Sequence, residues 1–172
     1  MSKNLIIYYS RTGENYWNGS VKNISKGNTE IVAEFIQKAV GGDLFEIETV
    51  KTYIKDHMKM IYEAKEELEK GIRPELKSYP DISGYDTIFL GFPNWWDTVP
   101  MPVVGFLEHY DWSGKRIIPF VTSGGSGFGK SLEDLKKICI GADISPDGMH
   151  FLGHKVERSE AKISAWAKKV LG

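Results

Sequence analysis

The sequence predicts an α/β fold: a doubly wound, five-stranded parallel sheet in the order 2-1-3-4-5. Two patterns carry this prediction. Short apolar runs lack the alternation of a half-exposed strand, so both faces must be covered, as in a parallel sheet. Between these runs lie segments of helical periodicity, and strands alternating with helices build a sheet with helices on both sides. Right-handed crossovers leave few topologies, and five strands within 172 residues suit that order. The length is that of one domain, 1–172, with a full hydrophobic core.

Leu5-Ile6-Ile7-Tyr8-Tyr9 is the first strand. Asn28 or Thr29 caps the next helix, which turns Ile31, Val32, Phe35, Ile36 and Ala39 inward and ends at Gly41-Gly42. Leu44 to Ile47 is the second strand, Thr87 to Phe92 the third and Arg116 to Val121 the fourth. Pro119 argues mildly against the fourth, because proline removes a ladder donor. Met149 to Leu152 is a weak fifth strand. Helices are predicted over Pro102–His109, Lys130–Ile138 and Ser159–Leu171, the last with Ile163, Trp166, Ala167 and Val170 on one face. Thr52 to Tyr79 breaks the rhythm. It is charged, with a helix-like core at Ala64–Glu69, and reads as a solvated surface excursion, a lid or partner contact being the alternative.

Composition excludes several classes. A net charge of −1 is too balanced for non-specific binding to nucleic acid or an anionic membrane. No stretch approaches the roughly 20 apolar residues of a membrane span, and no signal peptide is visible at Met1–Gly13. The only cysteine, Cys139, has no internal partner, so a cytoplasmic location is expected. No Ser/His/Asp or Cys/His set supports acyl transfer, and His57, His109, His150 and His154 show no metal-ligand spacing. All four read as ordinary surface or boundary residues.

Ligands of open parallel sheets bind beyond the carboxyl ends of the strands, and three of those ends carry unusual sequence. After the first strand come Ser10-Arg11-Thr12-Gly13, then Gly27-Asn28-Thr29 at the helix start. Hydroxyls and helix N-terminal amides there suit a phosphate monoester, although plain capping explains the same residues. Arg11 either pairs with the phosphate or faces solvent. After the third strand come Pro93-Asn94-Trp95-Trp96. Adjacent loop tryptophans either stack on a flat ligand or pack on the core or another subunit. After the fourth strand come Ser123-Gly124-Gly125-Ser126-Gly127-Phe128-Gly129, whose backbone can approach a ligand closely or form a flexible turn. Together these segments offer a phosphate site, an aromatic wall and a polar rim, which is what an FMN requires.

Gly124 to Ser131 also matches the Walker A pattern between a strand and a helix. A P-loop nucleotide-binding protein is the weaker alternative. That motif normally follows an early strand, with a later magnesium-binding Asp, and Asp143 and Asp147 are badly placed for that role.

On these residues the chain resembles the flavodoxin family over nearly its whole length, closest to a bacterial branch with an interrupted phosphate loop and a Pro-Asn-Trp-Trp turn. The family's Ser/Thr-x-Thr-Gly-Asn-Thr loop is split here: Ser10, Thr12 and Gly13 match its first part, Asn28 and Thr29 its second. Glu14 to Lys26 is then an inserted loop, in which Tyr16 and Trp17 can cover the site. The resemblance implies a flavodoxin-like fold and an FMN whose ring is bordered by Pro93–Trp96 and by Ser123, Gly124, Gly125, Gly127 and Phe128. It also implies electron transfer through that flavin, with no catalytic side chain. The acceptor side stays open: a redox partner protein, or a nicotinamide and a quinone if the chain is an NAD(P)H-dependent reductase. Either a monomer or a homodimer fits. A lack of cationic residues around Trp95 and the glycine loop is expected to disfavour the reduced, anionic flavin.

Overall fold

The computed structural model describes residues 3–172. Its elements run β1 (Lys3–Tyr8), β2 (Gly13–Trp17), β3 (Ser20–Ile24), α1 (Asn28–Val40), β4 (Asp43–Glu46), α2 (His57–Lys70), β5 (Tyr85–Pro93) and α3 (Met101–Glu108). They continue with β6 (Arg116–Ser123), α4 (Ser131–Ile138), β7 (Asp143–Ile144), β8 (Met149–Leu152), a 3-10 helix (Gly153–Arg158) and α5 (Glu160–Leu171). The main sheet is ordered β4-β1-β5-β6-β7, with β8 also paired to β6, and every pairing in it is parallel. This is the 2-1-3-4-5 arrangement, its fifth position shared by two short strands.

Apolar runs without alternation become strands whose successive residues enter two different cores. From β1 and the residue after it, Leu5, Ile7 and Tyr9 join one core; Ile6 and Tyr8 join the other. The first core is closed by Met60 and Ala64 of α2, Val103 and Phe106 of α3 and Leu135 of α4. The second is closed by Val32 and Ile36 of α1 and Ile163 and Ala167 of α5. Burying large side chains on both faces contributes about 1.5–3 kcal/mol for each residue, the term that holds the layers together. Cys139 is buried in the first core.

Pro119 sits in β6 without breaking it. The Ile117 carbonyl accepts from Ser145 on one side, and the Thr122 carbonyl accepts from Asn94 on the other. Alternation therefore turns Pro119 toward the β7/β8 side, opposite the break between Ile144 and Met149. A missing donor matters little where the ladder is already interrupted.

Three expectations are corrected. The insertion after Gly13 is an antiparallel hairpin, β2–β3, rather than a loop. The charged excursion contains a full helix, α2, which begins at His57 rather than Ala64. Its N-cap is Asp56, whose side chain accepts from the Lys59 amide, and Met60, Ala64 and Glu67 form its buried face. Helix α1 starts at Asn28, but its N-cap is Gly27 and neither Asn28 nor Thr29 caps it. Instead the Ser10 hydroxyl accepts from the Glu30 amide at 3.1 Å. Only glycine permits this approach, since a Cβ on Gly27 would stand 2.0 Å from Ser10 Oγ.

Candidate functional site

The parallel register brings the ends of β1, β5 and β6 to one edge, with Tyr8 beside Gly91 and Pro93 beside Thr122. Beyond that edge lies a cleft of about 280 Å³. Its walls include Arg11, Asn28, Pro93, Asn94, Trp95, Trp96, Ser123 and Gly124, so all three sequence segments contribute.

The two tryptophans have different roles. Trp95 is half-buried, with Tyr9 and Tyr53 edge-on to its indole at 5.4 and 5.5 Å. Beneath it the Tyr53 hydroxyl donates to the buried Glu67 carboxylate at 2.6 Å, and Lys51 pairs with the same carboxylate. Burial, with this carboxylate close by, pushes the Tyr9 and Tyr53 phenols well above their usual range. Trp96 is 39% exposed and forms the rim. Its indole N–H donates to the Ile61 carbonyl, and the Lys65 ammonium lies 5.1 Å from its ring. Lys65 thus places one cation beside Trp96, and Arg11 lines the same cleft as both tryptophans.

Trp96 and Asp97 both adopt positive φ, 52° and 67°, in a tight turn closed by paired Trp95–Thr98 backbone bonds of 3.2 Å. Left-handed geometry costs non-glycine residues roughly 1–2 kcal/mol each. The Trp96–Ile61 bond and the Lys130 amide, which donates to the Asp97 carbonyl at 2.7 Å, hold the turn there.

Asn94 ties this turn to the glycine loop: its amide nitrogen donates to Ser126 Oγ at 3.0 Å and to the Gly127 carbonyl at 2.9 Å. Within the loop, Ser123 Oγ accepts from the Gly125 and Gly127 amides at 3.0 and 3.2 Å. Those amides serve the loop itself, and of its residues Ser123 and Gly124 line the cleft while Gly125, Gly127 and Phe128 do not. The Walker A reading loses its cradle for the same reason. The Gly125 and Gly127 amides serve Ser123, that of Lys130 serves Asp97, and that of Ser131 serves the Phe128 carbonyl.

The remaining predicted residues sit beside or behind the cleft. Thr29 is buried and its hydroxyl meets that of Thr122. Ser10 and Thr12 line a separate depression on the far side of Arg11. Arg11 donates to the carbonyls of Glu14, Ile54 and Lys55, bracing the loop before α2. Burial lowers its pKa.

Of the two aromatic residues expected to cover the site, Tyr16 lines the cleft and Trp17 does not; sequence reading missed Asn15 of the hairpin, His57, Met60 and Ile61 of α2, and Gly153. The Asp56 cap ahead of Met60, Ala64 and Glu67 at helical spacing was the available signal for α2. Among the described residues, four buried side-chain polar atoms have neither a hydrogen-bond partner nor an ion pair. Three of them, Asn28 Oδ1, His57 Nδ1 and Asn94 Oδ1, belong to residues lining this cleft.

The family model described as flavodoxin matches residues 21–170. The chain belongs to the flavodoxin family. Among solved structures, a candidate flavoprotein from Bacteroides eggerthii is 30% identical, with a TM-score of 0.76 over 100% of this chain and 99% of that one. A Lactobacillus acidophilus flavoprotein solved in complex with FMN is 22% identical, with a TM-score of 0.64 over 92% and 98%. Oxidised flavodoxin 2 from Bacillus cereus is 21% identical, with a TM-score of 0.52 over 98% and 99%. The latter two likenesses concern the flavodoxin fold. No curated protein matches the chain. No helix among the described residues of this flavodoxin-family chain is long and apolar enough to cross a membrane.

Proposed function

We propose that the chain binds one FMN in this cleft and passes electrons through it. The observation that carries the reading is the convergence of Asn28 Oδ1, His57 Nδ1 and Asn94 Oδ1, all buried and unpartnered, on one cavity. A buried polar atom left unpaired costs about 1–3 kcal/mol, so a polar ligand stabilises the cleft by pairing them. The donor set fits an FMN. Arg11 and the N-terminal turn of α1, which opens with Asn28, favour an anion. Trp95 offers an aromatic wall that the tyrosines beneath hold still. Thr122, Ser123 and Gly124 add a polar rim.

When bound, FMN supplies the redox chemistry by taking up and releasing electrons at its ring. The chain's own residues bind, orient and shield. Arg11, Asn28, Pro93, Asn94, Trp95, Trp96, Ser123 and Gly124 form the wall. Ser10 caps α1, Thr29 meets Thr122 and Gly127 accepts from Asn94, so these three brace that wall, while Thr12, Gly125 and Phe128 lie outside its lining. No side chain is assigned an acid or base role.

A purified sample checks this directly. Flavin absorption bands that stay with the protein and are released as FMN on denaturation are expected. A colourless protein that cannot be reconstituted with FMN overturns the reading.

A reductase role for the same site is supported by the exposed Tyr62 and Trp96 rings, 6.1 Å apart at the cleft rim, where a flat acceptor has an aromatic surface. Holo-protein mixed with NADPH and a quinone separates the two roles. Rapid turnover without a partner protein favours the reductase; no turnover favours the carrier.

A further inference from the structure

We infer that His57 contacts the bound flavin nucleotide and that its charge state sets how tightly the cleft holds FMN, an inference that rests on the reading above. The imidazole lines the cleft with its Nδ1 buried and unpartnered. The residue is pinned from two sides. Its backbone amide donates to Glu14 Oε2 of the hairpin at 2.6 Å, and it opens α2 directly after the Asp56 cap. A ring held there, with one nitrogen shielded from water and facing no protein acceptor or donor, is placed for a ligand atom.

Of the side chains lining the cleft, those of Arg11, Tyr16 and His57 ionise. Arginine stays charged and histidine is the side-chain type that changes charge between about pH 5 and 8. The charged groups around His57 come from each neighbouring element: Arg11 from the β1 loop, Glu14 from the hairpin, and Lys55, Asp56 and Lys59 around the start of α2. Glu14 and Asp56 are already committed to the His57 and Lys59 amides. Arg11 is committed to three carbonyls. The imidazole is the uncommitted one. A protonated His57 adds a cation and a second donor to a cleft that takes an anionic nucleotide, so FMN and the imidazole proton bind cooperatively.

The test compares FMN dissociation constants of wild-type and H57Q proteins between pH 5.5 and 8.0, read from quenching of flavin fluorescence. Because the FMN phosphate itself titrates near pH 6, the informative quantity is the ratio of the two constants at each pH. The H57Q constant is expected to exceed the wild-type one by about fivefold more at pH 5.5 than at pH 8.0, the difference between a charged and a neutral hydrogen bond. In the wild-type protein, the imidazole resonance absent from H57Q is expected to titrate at higher pH once FMN is bound. A ratio flat across pH, or a resonance that FMN leaves unmoved, overturns the role of His57 while leaving FMN binding intact. A wild-type protein that takes up no FMN at any pH overturns both.

Discussion

The hydroxyls of Thr29 and Thr122 meet at 2.8 Å across 93 residues of sequence, joining the first turn of α1 to the end of β6. Thr122 lines the cleft and Thr29 stands behind it, 2% exposed. This bond sets the distance between the helix start and the glycine loop. Thr29→Val keeps the volume and removes the hydroxyl. It is expected to destabilise the fold by about 1–3 kcal/mol, because Thr122 loses a buried partner. Thr29→Ser is expected to restore most of that loss. Urea unfolding of the three proteins checks this; equal midpoints for wild type and Thr29→Val would reduce Thr29 to a space-filling residue.

Gly124 and Tyr16 form a second long-range contact. A Cβ on Gly124 would stand 2.3 Å from Tyr16 Cδ1, although the φ of Gly124 is not positive and its backbone accepts alanine. The penalty of Gly124→Ala therefore arises from the tyrosine ring. Overpacking of this kind costs about 1–3 kcal/mol and is expected to lift the β2–β3 hairpin off the cleft. In a Tyr16→Ala background the same change is expected to cost far less. A double-mutant cycle by thermal unfolding, with limited proteolysis of the hairpin, measures the coupling. Additive penalties would show that the ring and the glycine do not meet.

His150 makes the glycine loop sensitive to acid. Ser123 Oγ accepts two amide hydrogens, so its own hydrogen is left to donate to His150 Nε2, 2.6 Å away. Burial first, then the Lys162 charge, holds the His150 pKa below its ordinary value. The unfolded chain therefore takes up this proton first as pH falls. Stability is retained above about pH 6.5 and declines below it, through the depressed folded pKa. His150→Gln is expected to remove this part of the decline. Urea midpoints at pH 7.5 and 5.5 test it: if both proteins lose the same stability between the two, His150 is not the group responsible.

The sequence by itself determined the layers of this protein. Apolar runs without alternation specified strands covered on both faces, and the 3.6-residue period after Gly27 specified where α1 begins. Both signals are local, carried by residues within one or two turns of each other. The same locality marked Pro93–Trp96 and Ser123–Gly129 as strand-end loops, and the position of strand ends in a parallel sheet made them neighbours. Only the tertiary structure decided which side chains face the cleft. The charged face of α2 masked its Met60–Ala64–Glu67 stripe, so His57 looked like an ordinary surface residue. Ser10 became the cap of α1 because a glycine 17 positions later leaves room for its hydroxyl. Thr29 found Thr122, and Tyr16 found Gly124, through chain crossings that no periodicity encodes. A period reports which face of an element is buried, whereas a partner across the cleft is chosen by how separate elements pack.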